Sequence, residues 1–238
     1  MRYGSGYLDA GAGFQWCHLR SVWLAALVPG LLLLQSCSRS AGSPFAPYEH
    51  APIAAGTGLA DLPLGSALSD AAARFGAPDQ VAAVAGDTYF AEMIYRGAGM
   101  VLRFDILPDC VQVLSGAGRV VEGLMHLRKP DAFFSEFPAC KASPLQSMAF
   151  GLGQNPDSAF FKGATEQGVR IGSDKETVLR SYGGSHDVRS ASLAGSGPDD
   201  SNYDELIYSN GLALYLGPGG GGESWRVHRI VVFAPVHE

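Results

Sequence analysis

The chain has 238 residues, 47% of them hydrophobic and 17% charged, with 17 Lys and Arg against 23 Asp and Glu. That length suffices for one moderate domain or two small ones, and a net charge of −6 argues against nucleic acid, whose phosphates call for clustered Lys and Arg. The one dense basic cluster, Leu127-Arg128-Lys129, reads equally well as the end of a strand.

The chain opens with a Gly-rich stretch, Met1–His18, that carries Asp9 and does not look like the start of a signal sequence, so translation is expected to begin at Leu19. Arg20 then precedes a thirteen-residue apolar run, Val22–Leu34, interrupted by Pro29-Gly30. A bilayer span needs roughly 20 apolar residues, so the run fits a signal h-region, with a plain signal peptide or a buried helix as the competing readings. Leu34-Gln35-Ser36-Cys37 resembles the lipobox of bacterial lipoprotein precursors. The resemblance implies removal of residues 1–36 and lipidation of Cys37 by diacylglyceryl and a further acyl chain such as palmitate. Several acyl chains on one residue would hold the chain stably to a membrane. It further implies a cell-envelope protein facing the periplasm. Ser38, in place of the aspartate of enteric inner-membrane retention, points to the outer membrane.

Residues 37–60, with Gly-Ser-Pro and Ala-Pro breaks and no sustained periodicity, are expected to be a mobile tether. Beyond it lies an internal duplication. Leu64-Gly65-Ser66 and Ile171-Gly172-Ser173 each lead to a second glycine, Gly76 and Gly183, with Phe75 and Tyr182 just before it. Glu92-Met93-Ile94-Tyr95 then matches Glu205-Leu206-Ile207-Tyr208, and Gly99-Met100-Val101-Leu102 matches Gly211-Leu212-Ala213-Leu214. A period near 107 residues is too long for a solenoid and marks two homologous subdomains, 61–130 and 166–238, joined by a linking segment, 131–165.

Each subdomain begins with a helix signal. Ser173-Asp174-Lys175-Glu176 has the capping-box pattern, Ser66 is the equivalent cap, and Leu68, Ala71, Ala72 and Phe75, like Val178, Leu179 and Tyr182, fall at helical spacing. Strands follow. Asn210-Gly211 predicts a two-residue hairpin turn in which both positions tolerate positive φ, and Trp225–Phe233 alternates as a further strand, with Arg119–Leu127 as its counterpart in the first copy. Helix first and antiparallel strands afterwards define an α+β fold. The pattern from Ile171-Gly172-Ser173 through Tyr182-Gly183 to Leu206-Ile207-Tyr208 and Gly211-Leu212 resembles the SmpA/OmlA-like outer-membrane lipoproteins and the secreted β-lactamase-inhibitor fold. The resemblance covers residues 61–128 and 168–235 and implies a binding or assembly role in the envelope. Ser185 departs from it where the first copy keeps Pro78, and the linking segment from Asp131 to Gly163 has no counterpart in it.

Cys17 leaves with the leader and Cys37 takes lipid, so Cys110 and Cys140 remain as a pair expected to bridge in an oxidising periplasm, closing 30 residues and stabilising the fold by roughly 3–4 kcal/mol. Enzyme signatures are missing: no G-x-S-x-G, no H-E-x-x-H, and no P-loop Lys after Gly217–Gly222, which reads as a hairpin loop. His126, His186 and His228 show no ligand spacing and read as surface or satisfied strand residues. Asp200-Ser201-Asn202-Tyr203-Asp204 starts like a calcium loop but has Glu205 and Gly211 where glycine and glutamate are required. No cofactor, metal or catalytic residue is therefore assigned. Phe133, Phe134, Phe137, Phe150, Phe160 and Phe161 are expected mainly to fill core, with a contact surface as the alternative. The expected function is a non-catalytic, lipid-anchored envelope protein that binds or assembles a protein partner. A periplasmic small-ligand or metal sensor and an enzyme of unrecognised type are the alternatives.

Overall fold

The spacing of Leu68, Ala71, Ala72 and Phe75 puts four apolar side chains on one stripe, and this stretch is a helix, α1 (Leu68–Phe75), with all four buried. It belongs to a computed structural model that describes residues 45–151, 161–184, 187–191, 203–218 and 224–235. Gly76 ends α1 at φ 72°, and its N–H reaches the Ala72 carbonyl. Ser66 is not the helix cap. Ala67 leads into the helix, and the Ser66 hydroxyl donates instead to the Pro63 carbonyl, 2.6 Å away.

Upstream of α1, β1 (Ile53–Ala54), β2 (Gly58–Leu59) and β3 (Leu62–Pro63) form a small antiparallel meander. The expected tether to Ala60 is thereby shortened. Ile53 and Leu59 are at most 1% exposed, and Phe45 stacks on Phe75 with ring centroids 5.6 Å apart, so apolar burial fixes the chain from Phe45 onward. The compact unit containing these elements runs from Ser40 to Glu238.

After α1 come β4 (Gln80–Ala85), β5 (Tyr89–Tyr95) and β6 (Met100–Asp105), paired antiparallel in sequence. The chain then leaves the sheet for a helical insertion: α2 (Pro108–Gly116), α3 (Val120–Met125), a 3₁₀ turn at His126–Arg128, α4 (Pro130–Glu136) and a second 3₁₀ turn at Pro138–Ala142. The strand expected over Arg119–Leu127 is this α3 and its 3₁₀ extension. Val120, Leu124 and Leu127 recur at helical spacing, and the latter two are fully buried. Gly123 brings α3 against the Leu114 side chain of α2. Cys110 of α2 and Cys140 of the second 3₁₀ turn are joined by a disulfide with Cα atoms 4.5 Å apart.

The strand that completes the first copy is β7 (Leu145–Phe150), inside the segment expected only to link the subdomains. The second copy consists of α5 (Lys175–Tyr182), β8 (Asp187–Ala191), β9 (Tyr203–Tyr208), β10 (Leu212–Gly217) and β11 (Arg226–Phe233). Asp174, not Ser173, caps α5, its carboxylate accepting from the Thr177 N–H at 2.7 Å. The Ser173 hydroxyl accepts from the Arg170 N–H, and Glu176 pairs with Arg180 one turn on. Leu179 is 43% exposed, so the buried stripe of α5 is narrower than its spacing suggests. Tyr208 pairs with Leu212, which makes the β9–β10 loop three residues long. Only Gly211 in it takes a positive φ, of 85°, and its N–H donates to the Tyr208 carbonyl.

All eight long strands form one antiparallel sheet in the order β4-β5-β6-β7-β11-β10-β9-β8, an α+β architecture. The two copies repeat down to single hydrogen bonds. Gly65 donates to the Leu145 carbonyl and Leu145 donates to that of Ser66. Gly172, Val227 and Ser173 make the same pair of bonds, all at 2.8 Å. Each copy also carries a β-bulge at the corresponding place, between Arg103 and Phe104 against β7 and between Tyr215 and Leu216 against β11. One face of the sheet, including Met93, Leu102, Phe150, Leu214 and Ile230, packs with Phe75, Leu124, Phe133 and Val178 into a single core. Phe133, Phe134, Phe150 and Phe161 are buried there; Phe160 lies outside the described residues.

Candidate functional site

Strand alternation sends every second side chain of the sheet to the opposite face. Its middle row is apolar and crosses six strands as Ile94, Val101, Ala149, Val231, Ala213 and Ile207, each the lateral partner of the next. Val101 and Ala149 are each 7% exposed and Ala213 3%, yet none of the three belongs to the core cluster on the other face. Polar and aromatic rows flank this stripe, one on each side.

In the first copy the flanking row is Glu92, Arg103, Ser147 and Phe233. The Arg103 guanidinium lies 4.0 Å from the centroid of the Phe90 ring and 3.8 Å from the Glu92 carboxylate, and its Nε is buried without a hydrogen bond. In the second copy the row is Glu205, Tyr215 and Arg229. The Tyr215 hydroxyl donates to Glu205 at 2.5 Å, and burial, then the adjoining carboxylate, raise its pKa and keep it protonated. Arg229 lies 6.0 Å from the Tyr215 ring centroid.

Glu92 and Glu205 occupy equivalent positions, on the face away from Tyr95 and Tyr208 as strand alternation predicts, and both are half-buried. Five strand-to-strand steps separate them, about 24 Å at ordinary sheet spacing. At that distance they share neither a proton nor a bound water, and each has its own local partner.

His228 stands out at the β11 bulge. It is 8% exposed, its ring meets Tyr203 edge-on with centroids 5.3 Å apart, and neither ring nitrogen makes a hydrogen bond. Burial lowers its pKa. The backbone of Pro218 and Gly217 beside the ring opposes that only in part. The expected surface or satisfied histidine is therefore a buried, neutral one.

An open cleft of about 470 Å³ lies between α1 and α4, with Phe134 and Ala72 on its apolar side and Ser69, Asp131, Ser135 and Lys141 around it. Among the described residues no group of three or more His, Cys, Asp or Glu side chains could hold a metal ion, and no helix is long and apolar enough to cross a membrane. Asp204, from the loop considered for calcium, is paired with Lys175 at 3.0 Å. Asp200, Ser201, Asn202, His186, Ser185, Cys17 and the lipidation candidate Cys37 lie outside the described residues.

Phe90, Arg103, Tyr215 and Arg229 were not among the expected site residues. The signal was there: with Tyr95 opposite Met100, two-residue alternation places Glu92 beside Arg103. Compared with known proteins, the chain matches no family model, no curated protein and no solved structure.

Proposed function

We propose that the chain is a non-catalytic lipoprotein of the bacterial envelope, anchored through Cys37 and acting as a binding or assembly module for a protein partner. The observation that carries this reading is the second sheet face, where Phe90, Arg103, Tyr215 and Arg229 border an apolar stripe outside the core. Arginines and aromatics beside an apolar centre are the residue types that dominate binding energy at protein interfaces. The leader ending in Leu34-Gln35-Ser36-Cys37 and the resemblance to SmpA/OmlA-like lipoproteins support the anchored, envelope side of the proposal.

The test is site-specific photocrosslinking in the producing cells, with the crosslinker placed at Ile207 or Phe233 and, as a control, at Leu179 on α5. A discrete adduct from the face positions, lost on Arg103→Ala with Arg229→Ala, supports the reading. Adducts only from Leu179, or none from any position, defeat it.

A further inference from the structure

The helical insertion between β6 and β7 belongs to the first copy alone, and it carries three of the five large hydrophobic side chains that are strongly exposed among the described residues. Five large hydrophobic side chains are strongly exposed: Val84, Val113, Val121, Met125 and Leu179. Val113 lies on α2, and Val121 and Met125 stand one turn apart on the same side of α3. The α3 helix packs alongside β4, which carries Val84, and against α2. Val84, Val113 and Val121 are each 41% exposed and Met125 40%.

The charge around these side chains is opposite to that of the chain as a whole. From Pro108 to Lys129, the span of α2, α3 and the turn after them, stand Arg119, Arg128 and Lys129 against Asp109 and Glu122, a net +1 with His126 neutral, while the whole chain carries −6. Glu122 is taken up by Arg119 at 3.4 Å. Arg128 and Lys129 are exposed, and no ion pair holds either of them among the described residues. Exposed apolar side chains beside unpaired cations are what a surface needs to sit at a bilayer. The apolar groups enter the boundary between headgroups and acyl chains, and the cations meet lipid phosphates.

Reach points the same way. Phe45 packs on Phe75, eight residue steps separate it from Cys37, and a fully extended chain spans at most roughly 28 Å over that length. A body held that close to the bilayer keeps one side near it.

We propose that the exposed side of α2 and α3 is a membrane-contact surface, in which Val113, Val121 and Met125 enter the headgroup region and Arg128 and Lys129 bind anionic lipid phosphates. The inference rests on the lipid-anchored reading above. It assigns a role to an insertion that the second copy does without, and it leaves the partner-binding sheet face with a defined orientation to the membrane.

The experiment uses the full chain, processed and acylated in its producing cells and reconstituted into vesicles of phosphatidylethanolamine and phosphatidylglycerol. Cys110 and Cys140 are bridged, so Val121→Cys offers a single free thiol for an environment-sensitive fluorophore, with Leu179→Cys as an equally exposed control. The expected result is at least a twofold rise in emission at position 121, quenched by lipid-borne nitroxide, with no change at 179. Arg128→Glu with Lys129→Glu, or vesicles of phosphatidylcholine alone, should abolish most of that rise, while an unchanged thermal melt shows that the variant is folded. Solvent-like emission at 121 on protein whose Cys37 is acylated by mass spectrometry overturns this inference and spares the anchored reading. A rise at 121 that lipid-borne nitroxide fails to quench means contact with protein, and also overturns it. Unmodified Cys37 overturns both.

Discussion

Ala149 lies directly across from Val231 where β7 meets β11, and the two halves of the sheet repeat about that pair. Ile230 opposite Phe150 and Val232 opposite Met148 are the same contact seen from either half. Because the halves join through main-chain hydrogen bonds and one core, they are expected to unfold together.

Leu102 and Leu214 occupy equivalent positions on β6 and β10, and both are fully buried. Leu102→Ala and Leu214→Ala should each destabilise the protein by about 2–5 kcal/mol. Without residues 1–36 the only tryptophan is Trp225, in the second half. Denaturation followed by its fluorescence should therefore shift for Leu102→Ala as much as circular dichroism does. A fluorescence transition indifferent to Leu102→Ala would mean that the halves unfold independently.

Opening the Cys110–Cys140 bridge by Cys→Ser at both positions should cost roughly 3–4 kcal/mol, because it frees 30 residues of otherwise closed chain. Chemical denaturation of the oxidised and double-serine proteins measures the difference, and thiol counting on envelope-derived material under denaturing, non-reducing conditions should find neither cysteine free.

Local signals carried much of this fold. The glycines that open and close α1 and α5, and the tyrosine strands after them, are specified by residues a few positions apart, and they fold where spacing placed them. β7 was not legible, because the insertion moves it some forty residues downstream of β6 and its partner β11 lies in the other half of the chain. The Asp174 cap was displaced by one residue from the expected Ser173, since both side chains can accept from backbone N–H groups and only the entry geometry of α5 decides between them. The candidate face was half legible: the repeat matches Glu92 with Glu205, but the arginines and Tyr215 beside them follow only from hairpin register.

His228 sets a pH dependence. Its pKa is lowered in the folded protein from an ordinary value of 6.5, so the unfolded chain binds the extra proton first. Its contribution to stability is fully present above pH 6.5 and is lost as pH falls from there through the folded pKa. Urea midpoints measured between pH 7 and pH 5 should fall with acidity, and His228→Gln should flatten that part of the curve. An unchanged slope in the variant would assign the effect to other groups.

Gly211 and Gly168 separate two costs of a side chain. Both take positive φ, 85° and 80°, so alanine at either should cost about 1–2 kcal/mol in backbone strain. At Gly211 the new Cβ also runs into the Phe233 carbonyl, whereas at Gly168 it meets open space. Gly211→Ala should therefore lower the Tm clearly more than Gly168→Ala.

Mass spectrometry of Cys37→Ala should show no acyl group, and the protein should fractionate as soluble or remain as uncleaved precursor. Normal processing with unchanged membrane fractionation would remove the anchor from the reading.

The junction of β7 with β11 also limits how the protein can be divided. Cut between the halves, β7 and β11 would each become an edge strand, with a row of bare N–H and C=O groups flanked by Met148 and Phe150 on one side or Ile230 and Val232 on the other. Neither fragment is then a smaller version of the whole. Each is a half-sheet that must find another strand, and two copies of the same half offer one another the nearest match.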